Sequence, residues 1–387
     1  MTKNLIQIFK HRFHLLSITF IGLCLFACQN QEKSKNLPWV EEVGAVSFEI
    51  SDQVMAIELD EFTGAVYEIK GITDQNEYFF FNKYNQSIYV YDLKSEPQMP
   101  KRIIKVPLDE SINFNMVSDL VYHNADSIFI WDDRSAYGNS PELFLINSNG
   151  EVVDTFKVLD RLNGDPGKAG SFETSQGRSM LYFEGKIILL SSINRDTKEE
   201  NWKPLIIFDI KSKSTSLHGA YPEYFQDVKY GQNKWKSNYC LIPELNQVVV
   251  SFPFESNLFI FDLDDYSWSE FGFNSNMVAP PKQFDANSDS PEIDYLLSNS
   301  WYYGLEYDRA NGLIWRTAQI GKQFGKNDLV PNGENIDQYP TINNDRIFNY
   351  SFLIDLNAKS FWVLPGLHWL ETQFFHPIEG PFRRVQK

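Results

Sequence analysis

The segment Leu258-Phe259-Ile260-Phe261-Asp262-Leu263-Asp264-Asp265 decides the fold of this 387-residue chain. Four β-favouring residues lead into an aspartate and then a polar turn, which is typical of a strand that ends in a tight reversal. The unit recurs four more times, at residues 88–95, 143–150, 205–212 and 351–358. The Asp or Asn of each copy can accept hydrogen bonds from backbone N–H groups just ahead of it, so each copy predicts a hairpin.

We call this Asp or Asn the anchor residue of its copy. The five anchors are Asp92, Asn147, Asp209, Asp262 and Asp355, separated by 55, 62, 53 and 93 residues. A further short apolar strand precedes each copy, at residues 78–81, 128–131, 187–190, 248–251 and 313–316. Four-stranded blades with loops fit this spacing, so the chain is predicted to be an all-β β-propeller.

The number of blades follows less directly from the repeat. Five blades are visible, and residues 46–50, 55–59 and 65–69 could supply a sixth or close the ring with the C-terminal strands. We therefore expect six four-stranded blades over residues 41–387, with seven as the alternative. A β-sandwich or a pair of stacked barrels would not explain the repeated strand and anchor.

The N-terminus has the features of a secretory signal peptide. Basic residues precede an apolar stretch over 15–27, which is too short to span a bilayer. The stretch ends in Leu25-Phe26-Ala27-Cys28, which resembles the bacterial lipoprotein box, in which the cysteine carries diacylglycerol after cleavage. The resemblance implies a signal peptide over 1–27, a lipidated Cys28 and a flexible tether over 28–40. An ordinary signal peptide cut elsewhere is the alternative.

Charge limits the partners of the chain. The formal net charge is −16 at pH 7, which repels phosphates and argues against non-specific nucleic-acid binding. An acidic body does not adhere to an anionic membrane by itself, so we expect the lipid to hold it. The expected location is the cell envelope, most naturally the outer membrane, with the periplasmic or surface face left open.

Several segments resemble one family of proteins. They are the lipoprotein box, Asp126-Ser127-Ile128-Phe129, Leu143-Phe144-Leu145-Ile146-Asn147 and Gly150-Glu151-Val152. Together with the chain length, they are similar to a family of uncharacterised Bacteroidetes lipoproteins that is predicted to form TolB-like, six-bladed β-propellers. The resemblance implies a fold, and it implies no activity, substrate or catalytic residue.

Calcium is the metal that the sequence allows best. Asp285, Asn287 and Asp289 place oxygen ligands at alternate positions, as a calcium loop begins. Ser290 then replaces the turn glycine and Leu296 the bidentate glutamate, so a solvated acidic loop is the favoured alternative. No cofactor is predicted.

No catalytic motif is recognisable along the chain. A phosphate-binding loop and a nucleophile elbow are both missing from the sequence, and Cys240 fits a buried strand position better than a nucleophile. Trp301, Tyr302 and Tyr303 could stack on sugars, although most aromatic residues of a propeller pack between blades.

The function expected from these observations is a binding or scaffolding module for an envelope protein or a glycan. The alternative is an envelope enzyme that acts on glycans or peptides at the propeller channel, and a strongly perturbed carboxyl group would favour it. A structural subunit of an envelope assembly is a third possibility.

Overall fold

The structure is a computed structural model, and it describes the parts of the chain that form the repeated sheets. These residues are 39–42, 69–73, 75–94, 99–106, 117–132, 141–158, 179–191, 203–222, 237–273, 299–320, 329–330, 341–342, 348–365, 375–376 and 380–381. The predicted signal peptide, Cys28 and most of the predicted tether lie outside them. Among the described residues, none belongs to a helix with the length and apolarity needed to cross a membrane.

Strands make up all of the regular secondary structure in the described residues except one short 3-10 helix, Pro243–Leu245. They are β1 Trp39–Glu42, β2 Lys70–Ile72, β3 Glu77–Asn82, β4 Ser87–Asp92, β5 Pro100–Lys105, β6 Val117–Asn124, β7 Ser127–Asp132, β8 Glu142–Ile146, β9 Val152–Phe156, β10 Leu181–Phe183, β11 Lys186–Leu190, β12 Leu205–Asp209, β13 Ser214–His218, β14 Asn238–Ile242, β15 Gln247–Ser251, β16 Leu258–Asp262, β17 Trp268–Phe273, β18 Trp301–Asp308, β19 Leu313–Ile320, β20 Leu329–Val330, β21 Thr341–Ile342, β22 Phe348–Asp355, β23 Ser360–Pro365, β24 Phe375–His376 and β25 Gly380–Pro381.

The strands form a propeller of four-stranded antiparallel blades. Blade 1 is β2–β5, blade 2 is β6–β9, blade 3 is β10–β13, blade 4 is β14–β17, and blade 5 is β18, β19, β22 and β23. The first strands of blades 1 and 2, of blades 2 and 3, and of blades 4 and 5 approach one another. The first strand of each blade is therefore innermost, and the fourth lies at the rim. Both strands predicted for every copy of the repeat are confirmed.

The expectation of six blades, and the alternative of seven, are wrong for the part of the chain that the structure describes, where five blades are formed. The predicted sixth blade relied on residues 46–50, 55–59 and 65–69, and all of these except Ile69 lie outside the described residues. The repeat itself identified only five anchors, and each of these belongs to a complete blade. The apolar runs behind the sixth blade carry no anchor, and apolar runs alone do not specify a blade.

The anchor residues occupy one shared position, at the end of the third strand of each blade, as predicted. Each accepts a hydrogen bond from a backbone N–H two or three residues ahead. The bonds run from Lys94 to Asp92 (2.9 Å), from Asn149 to Asn147 (3.0 Å), from Ser212 to Asp209 (2.7 Å), from Asp264 to Asp262 (2.9 Å) and from Ala358 to Asp355 (2.8 Å). The turn that links the third and fourth strands is therefore closed by the same interaction in all five blades.

Both faces of a blade are apolar and buried. In β7, Ile128 and Ile130 pack with blade 1, whereas Phe129 and Trp131 pack with blade 3. All four side chains are fully or almost fully buried. Because successive side chains of a strand point to opposite faces, a blade needs a neighbour on each side to cover its apolar residues.

Short strands outside the blades complete the described structure. β1 pairs in parallel with the rim strands β17 and β23, and so joins the outer edges of blades 4 and 5. β20 and β21 form a small hairpin within the connection between β19 and β22. β24 pairs with β25 and contacts β18, the innermost strand of blade 5.

Replacing Asp209 with alanine tests the role of the anchors. The change removes the acceptor of the Ser212 N–H and hydroxyl groups, so we expect the free energy of unfolding in urea to fall by about 1 kcal/mol at pH 7. These hydrogen bonds lower the pKa of the Asp209 carboxyl group, so its stabilising effect is present above the unfolded-state pKa and disappears as the pH falls through the folded-state value. The loss should therefore shrink in acid.

Lys211→Ala is the matched control for this measurement. Lys211 lies in the same turn with an exposed side chain, and its replacement should change stability by less than about 0.5 kcal/mol. Equal stabilities of the Asp209→Ala and Lys211→Ala variants at pH 7 would show that the anchor does not hold the turn.

Candidate functional site

The two faces of the ring differ in the length of their connections. The turns that join the first strand to the second, and the third to the fourth, contain two to seven residues and lie on one face, the turn face. The connections between blades, and those between the second and third strands, begin and end at the opposite face, the loop face. Blade-to-blade connections there span 11 to 27 residues. Ligands of repeat proteins usually meet the face that carries the long connections.

Polar residues gather where the innermost strands begin at the loop face. We call this position the mouth of the ring, and we define it by four pairs of residues. The pairs are Ser118–Asp119, Ser179–Met180, Ser237–Asn238 and Asn299–Ser300, at the starts of β6, β10, β14 and β18. Five of the seven polar side chains among them, one of them a carboxylate, are at least nine-tenths buried, which is unusual for polar groups unless they are hydrogen-bonded or functional.

Asp119 carries the carboxyl group of the mouth, and the pKa of this group is strongly raised. Its Oδ1 accepts a hydrogen bond from the Leu120 N–H at 2.8 Å, and its Oδ2 accepts one from the Met180 N–H of blade 3. The side chain is only 3% exposed, and this burial raises its pKa to about 7 in spite of the two N–H donors. Asp119 therefore links two blades, and its charge changes near neutral pH.

Hydroxyl groups of the mouth retain hydrogen-bonding capacity. The Ser118 and Ser237 hydroxyls are buried and have no hydrogen-bond partner within the described part of the chain. Tyr239, next to this position in β14, donates to the carbonyl groups of Ser179 (2.8 Å) and Ile188 (3.1 Å) in blade 3. The mouth thus combines rigid links between blades with two hydroxyls that could bind a polar group of a ligand.

The predicted aromatic residues do not form one exposed platform. Trp301 and Tyr302 are buried, and the Arg316 guanidinium lies 3.4 Å from the centre of the Tyr302 ring. A ring so covered has no free face for a sugar, so Tyr302 has the packing role that the sequence left as the alternative. Tyr303 is only partly buried, with its ring 5.5 Å from that of Trp301, and it is the member best placed to contact a ligand.

Arg316 occupies a position that the other blades fill with apolar side chains. The strand pairing aligns it with Phe80, Ile130, Leu189 and Val250. It is completely buried, and it donates from Nε to the Ser251 hydroxyl at 2.9 Å and from the guanidinium to the carbonyl groups of Glu255 and Ser256. Arg316 therefore fixes the connection 252–257 of blade 4 against blade 5, just below the loop face.

A second perturbed carboxyl group lies on an innermost strand. Burial raises the pKa of Glu306 in β18 to about 8, and the nearby positive charge of Lys70 in β2 lowers it. Glu306 pairs with Trp315 and Lys70 pairs with Phe80, so both point into the junction between the last blade and the first. Cys240 is buried in β14, and burial raises the pKa of its thiol, which favours the packing role over that of a nucleophile.

The remaining predicted site residues lie outside the described residues. These are Cys28, the lipidation candidate, and Asp285, Asn287 and Asp289, the calcium candidates. Among the residues that the structure does describe, no group of three or more His, Cys, Asp or Glu side chains is arranged to hold a metal ion.

Comparison with known families identifies the chain. The sequence profile of a domain of unknown function, DUF4221, matches residues 41–329. The chain belongs to the DUF4221 family. This agrees with the resemblance to uncharacterised propeller proteins, although TolB-like character stays a prediction. A search of curated proteins found no match.

Solved structures show the same fold. A DUF4221 member from Bacteroides vulgatus ATCC 8482 is 16% identical with a TM-score of 0.62, over 85% of this chain and 90% of that chain. A "Putative exported protein" from Bacteroides fragilis NCTC 9343 is 10% identical with a TM-score of 0.50, over 85% and 80% of the two chains. At these identities the likeness shows the fold alone.

Two residues that the sequence analysis did not select are central to the described site of this DUF4221 chain. Asp119 is an acidic residue at a buried position near the start of β6, and Arg316 is a charged residue at a repeat position that is otherwise apolar. An alignment of the five copies by their anchors would have shown that Arg316 is charged where the other four copies have an apolar residue. The partner of Asp119 is 61 residues away, so no local pattern identifies it.

Replacing Asp119 with asparagine tests its titration. A folded-state pKa near 7, against about 3.9 in the unfolded chain, means that the native state holds its proton more tightly. The stability of the native protein relative to Asp119→Asn should therefore fall as the pH rises from about 4 to about 7, by up to about 1.4 kcal/mol per pH unit. Urea denaturation of both proteins across this range measures the slope.

Ser118→Ala serves as the control, because it alters the adjacent residue without removing a titratable group. It should shift stability by the same amount at every pH. A constant difference between the native protein and Asp119→Asn from pH 4 to pH 8 would contradict the raised pKa of Asp119.

Proposed function

We propose that this DUF4221 protein is a lipid-anchored binding or scaffolding propeller of the bacterial cell envelope, and that its ligand meets the loop face. The observation that carries the proposal is the separation of the two faces. Every described turn of the turn face is short, and hydrogen bonds from the anchors close one turn in each blade. The long connections all begin and end at the other face.

The length of these connections supports a role in recognition. Loops longer than about 12–15 residues are uncommon in compact domains and are often functional. Residues 274–300 and 321–347 are the longest connections of the chain, and both leave from blades 4 and 5. Hydrogen bonds from Arg316 fix the shorter connection 252–257, which belongs to the same two blades from which the longest connections start. The loop face thus offers long connections on a fixed support.

The ligand that we propose is an envelope protein or a glycan. The formal charge of −16 disfavours nucleic acid, and the mouth offers buried hydroxyl groups, while Tyr303 of β18 is only partly buried. Asp285, Asn287 and Asp289 belong to the 274–300 connection, where we propose a solvated acidic segment, with calcium binding as the alternative.

Location at the envelope is supported by the N-terminal sequence. Leu25-Phe26-Ala27-Cys28 follows a basic start and a short apolar stretch, and the similar protein from Bacteroides fragilis is named as exported. We propose that Cys28 carries the lipid, that residues 1–27 are removed, and that the outer membrane receives the anchor. One acyl chain alone would bind only weakly, whereas the several chains of a lipoprotein hold a protein stably.

Replacing Cys28 with serine tests the anchor. The native protein should enter the detergent phase in a Triton X-114 partition, and the Cys28→Ser variant should stay in the aqueous phase or retain its signal peptide. Cys24→Ser is the matched control, because it changes a cysteine that the proposed cleavage removes, and it should leave partitioning unchanged. A variant Cys28→Ser that still enters the detergent phase with its signal peptide removed would overturn lipidation at this residue.

A second function, catalysis on glycans or peptides at the channel, is favoured by one observation. Glu306 lies on an innermost strand with a pKa raised to about 8, and such carboxyl groups occur at sites of acid–base chemistry. Incubation of the pure protein with envelope glycans and peptides, beside Glu306→Gln, distinguishes the two functions. Turnover by the native protein that the variant lacks would replace binding with catalysis.

Shortening the 274–300 connection tests the binding face. Replacing residues 276–296 with a Gly-Ser linker of five residues gives a connection as long as that between β5 and β6. We expect the variant to unfold at a temperature within a few degrees of the native protein, because the blades hold the fold. It should lose at least about tenfold in affinity for the glycan or envelope protein that the native protein retains, which corresponds to about 1.4 kcal/mol.

The control for this variant lies on the turn face. Asn149→Ala changes an exposed side chain of blade 2 and should leave binding unchanged. Binding that survives the shortened connection and is lost in Asn149→Ala would place the ligand on the turn face and contradict the proposal.

A further inference from the structure

The first described segment of the chain joins two blades at the rim. In β1, Trp39 and Val40 pair in parallel with the end of β17, opposite Gly272 and Phe273. Its next two residues pair in parallel with the start of β23, at Ser360 and Phe361. β1 therefore bridges the free outer edges of blades 4 and 5 through backbone hydrogen bonds, and it fixes where the N-terminal segment meets the ring.

The position of β1 limits the distance between the ring and a lipid on Cys28. Trp39 follows Cys28 by eleven residues, which span at most about 40 Å when fully extended. The body of the domain is about 50 Å across for its number of residues. The tether is thus shorter than the ring is wide, and it leaves from one point on the circumference.

We infer that the anchored ring stands edge-on to the bilayer, with the rim of blades 4 and 5 nearest the lipid and the loop face open to the side. The inference rests on the proposed lipidation of Cys28. The charge of the chain disfavours a ring that lies flat on the bilayer, because anionic lipid headgroups repel an acidic protein. An edge-on ring leaves the loop face accessible to a ligand while the protein stays anchored.

The repeat supplies a matched set of positions to measure the orientation. The residue two positions after each anchor lies at the same place on the turn face of its blade, and its side chain is exposed in every case. These residues are Lys94, Asn149, Lys211, Asp264 and Asn357, in blades 1 to 5. Cys240 is buried, so a thiol-reactive dye should select a cysteine introduced at these positions.

The experiment uses five variants of the full-length lipidated protein, each with one introduced cysteine, including Asn149→Cys and Asn357→Cys. Each is labelled with a donor dye and bound to vesicles of phosphatidylcholine and phosphatidylglycerol that carry a headgroup acceptor. Because the ring is about 50 Å wide, energy transfer from Asn357→Cys should exceed that from Asn149→Cys by about twofold or more. Asp264→Cys should resemble Asn357→Cys, since β1 lies between their blades.

Equal transfer from all five positions would show a ring lying face-on, and would overturn the inference while leaving the anchor intact. Strongest transfer from blade 2 would overturn it as well. If the native protein fails to float with vesicles, the lipid anchor itself is overturned, and the orientation with it. Flotation of the native protein and its loss in Cys28→Ser separate these two failures.

Discussion

The structure depends on one constraint, which is that every blade is apolar on both faces. In blade 2, alternate residues of β7 pack against blade 1 and blade 3, and none of these side chains would be covered if the blade stood alone. Burial of this kind is the main favourable term in folding. Each blade therefore requires two neighbours, and a closed ring is the arrangement that gives every blade both. The aromatic face of blade 1 formed by Phe80, Tyr89 and Tyr91 is buried on the side away from blade 2, as closure requires.

The anchor hydrogen bonds and the packing between blades have separate roles. An anchor acts within one hairpin, where it closes a turn and fixes the register of the rim strand. Contacts such as Asp119 with Met180, and Tyr239 with Ser179, act between blades near the centre. Because the anchors leave the turn face short and regular, sequence variation is tolerated mainly in the connections of the opposite face. The proposed function depends on this difference between a face of short turns and a face of long connections. The difference follows from the anchor hydrogen bonds within each blade.

Arg316 is a departure from the repeat that links two blades through a specific contact. At the equivalent position the other blades bury an apolar side chain, and blade 5 buries a guanidinium between the Tyr302 ring and carbonyl groups of blade 4. Burying a charge is costly unless hydrogen bonds compensate. Arg316 makes such hydrogen bonds to the connection 252–257, in place of the apolar packing found in the other blades. Arg316 also lies 5.3 Å from the centre of the Phe273 ring, and Phe273 pairs with Val40 of β1. The junction of blades 4 and 5 therefore combines this buried guanidinium with the attachment point of the N-terminal segment.

The sequence by itself determined the all-β class, the two central strands of every blade and the position of the five anchors, because these features follow from local periodicity and local hydrogen bonding. It also indicated the acidic charge and the lipoprotein box. Only the tertiary structure decided the five-blade count among the described residues, the burial of Tyr302 beneath Arg316, and the link from Asp119 to a residue 61 positions away. These depend on which segments meet in space, and local patterns carry no information about pairings between distant strands. The parallel pairing of β1 with two rim strands is the clearest case, since nothing in Trp39–Glu42 specifies edges that are formed by residues more than 200 positions further along the chain.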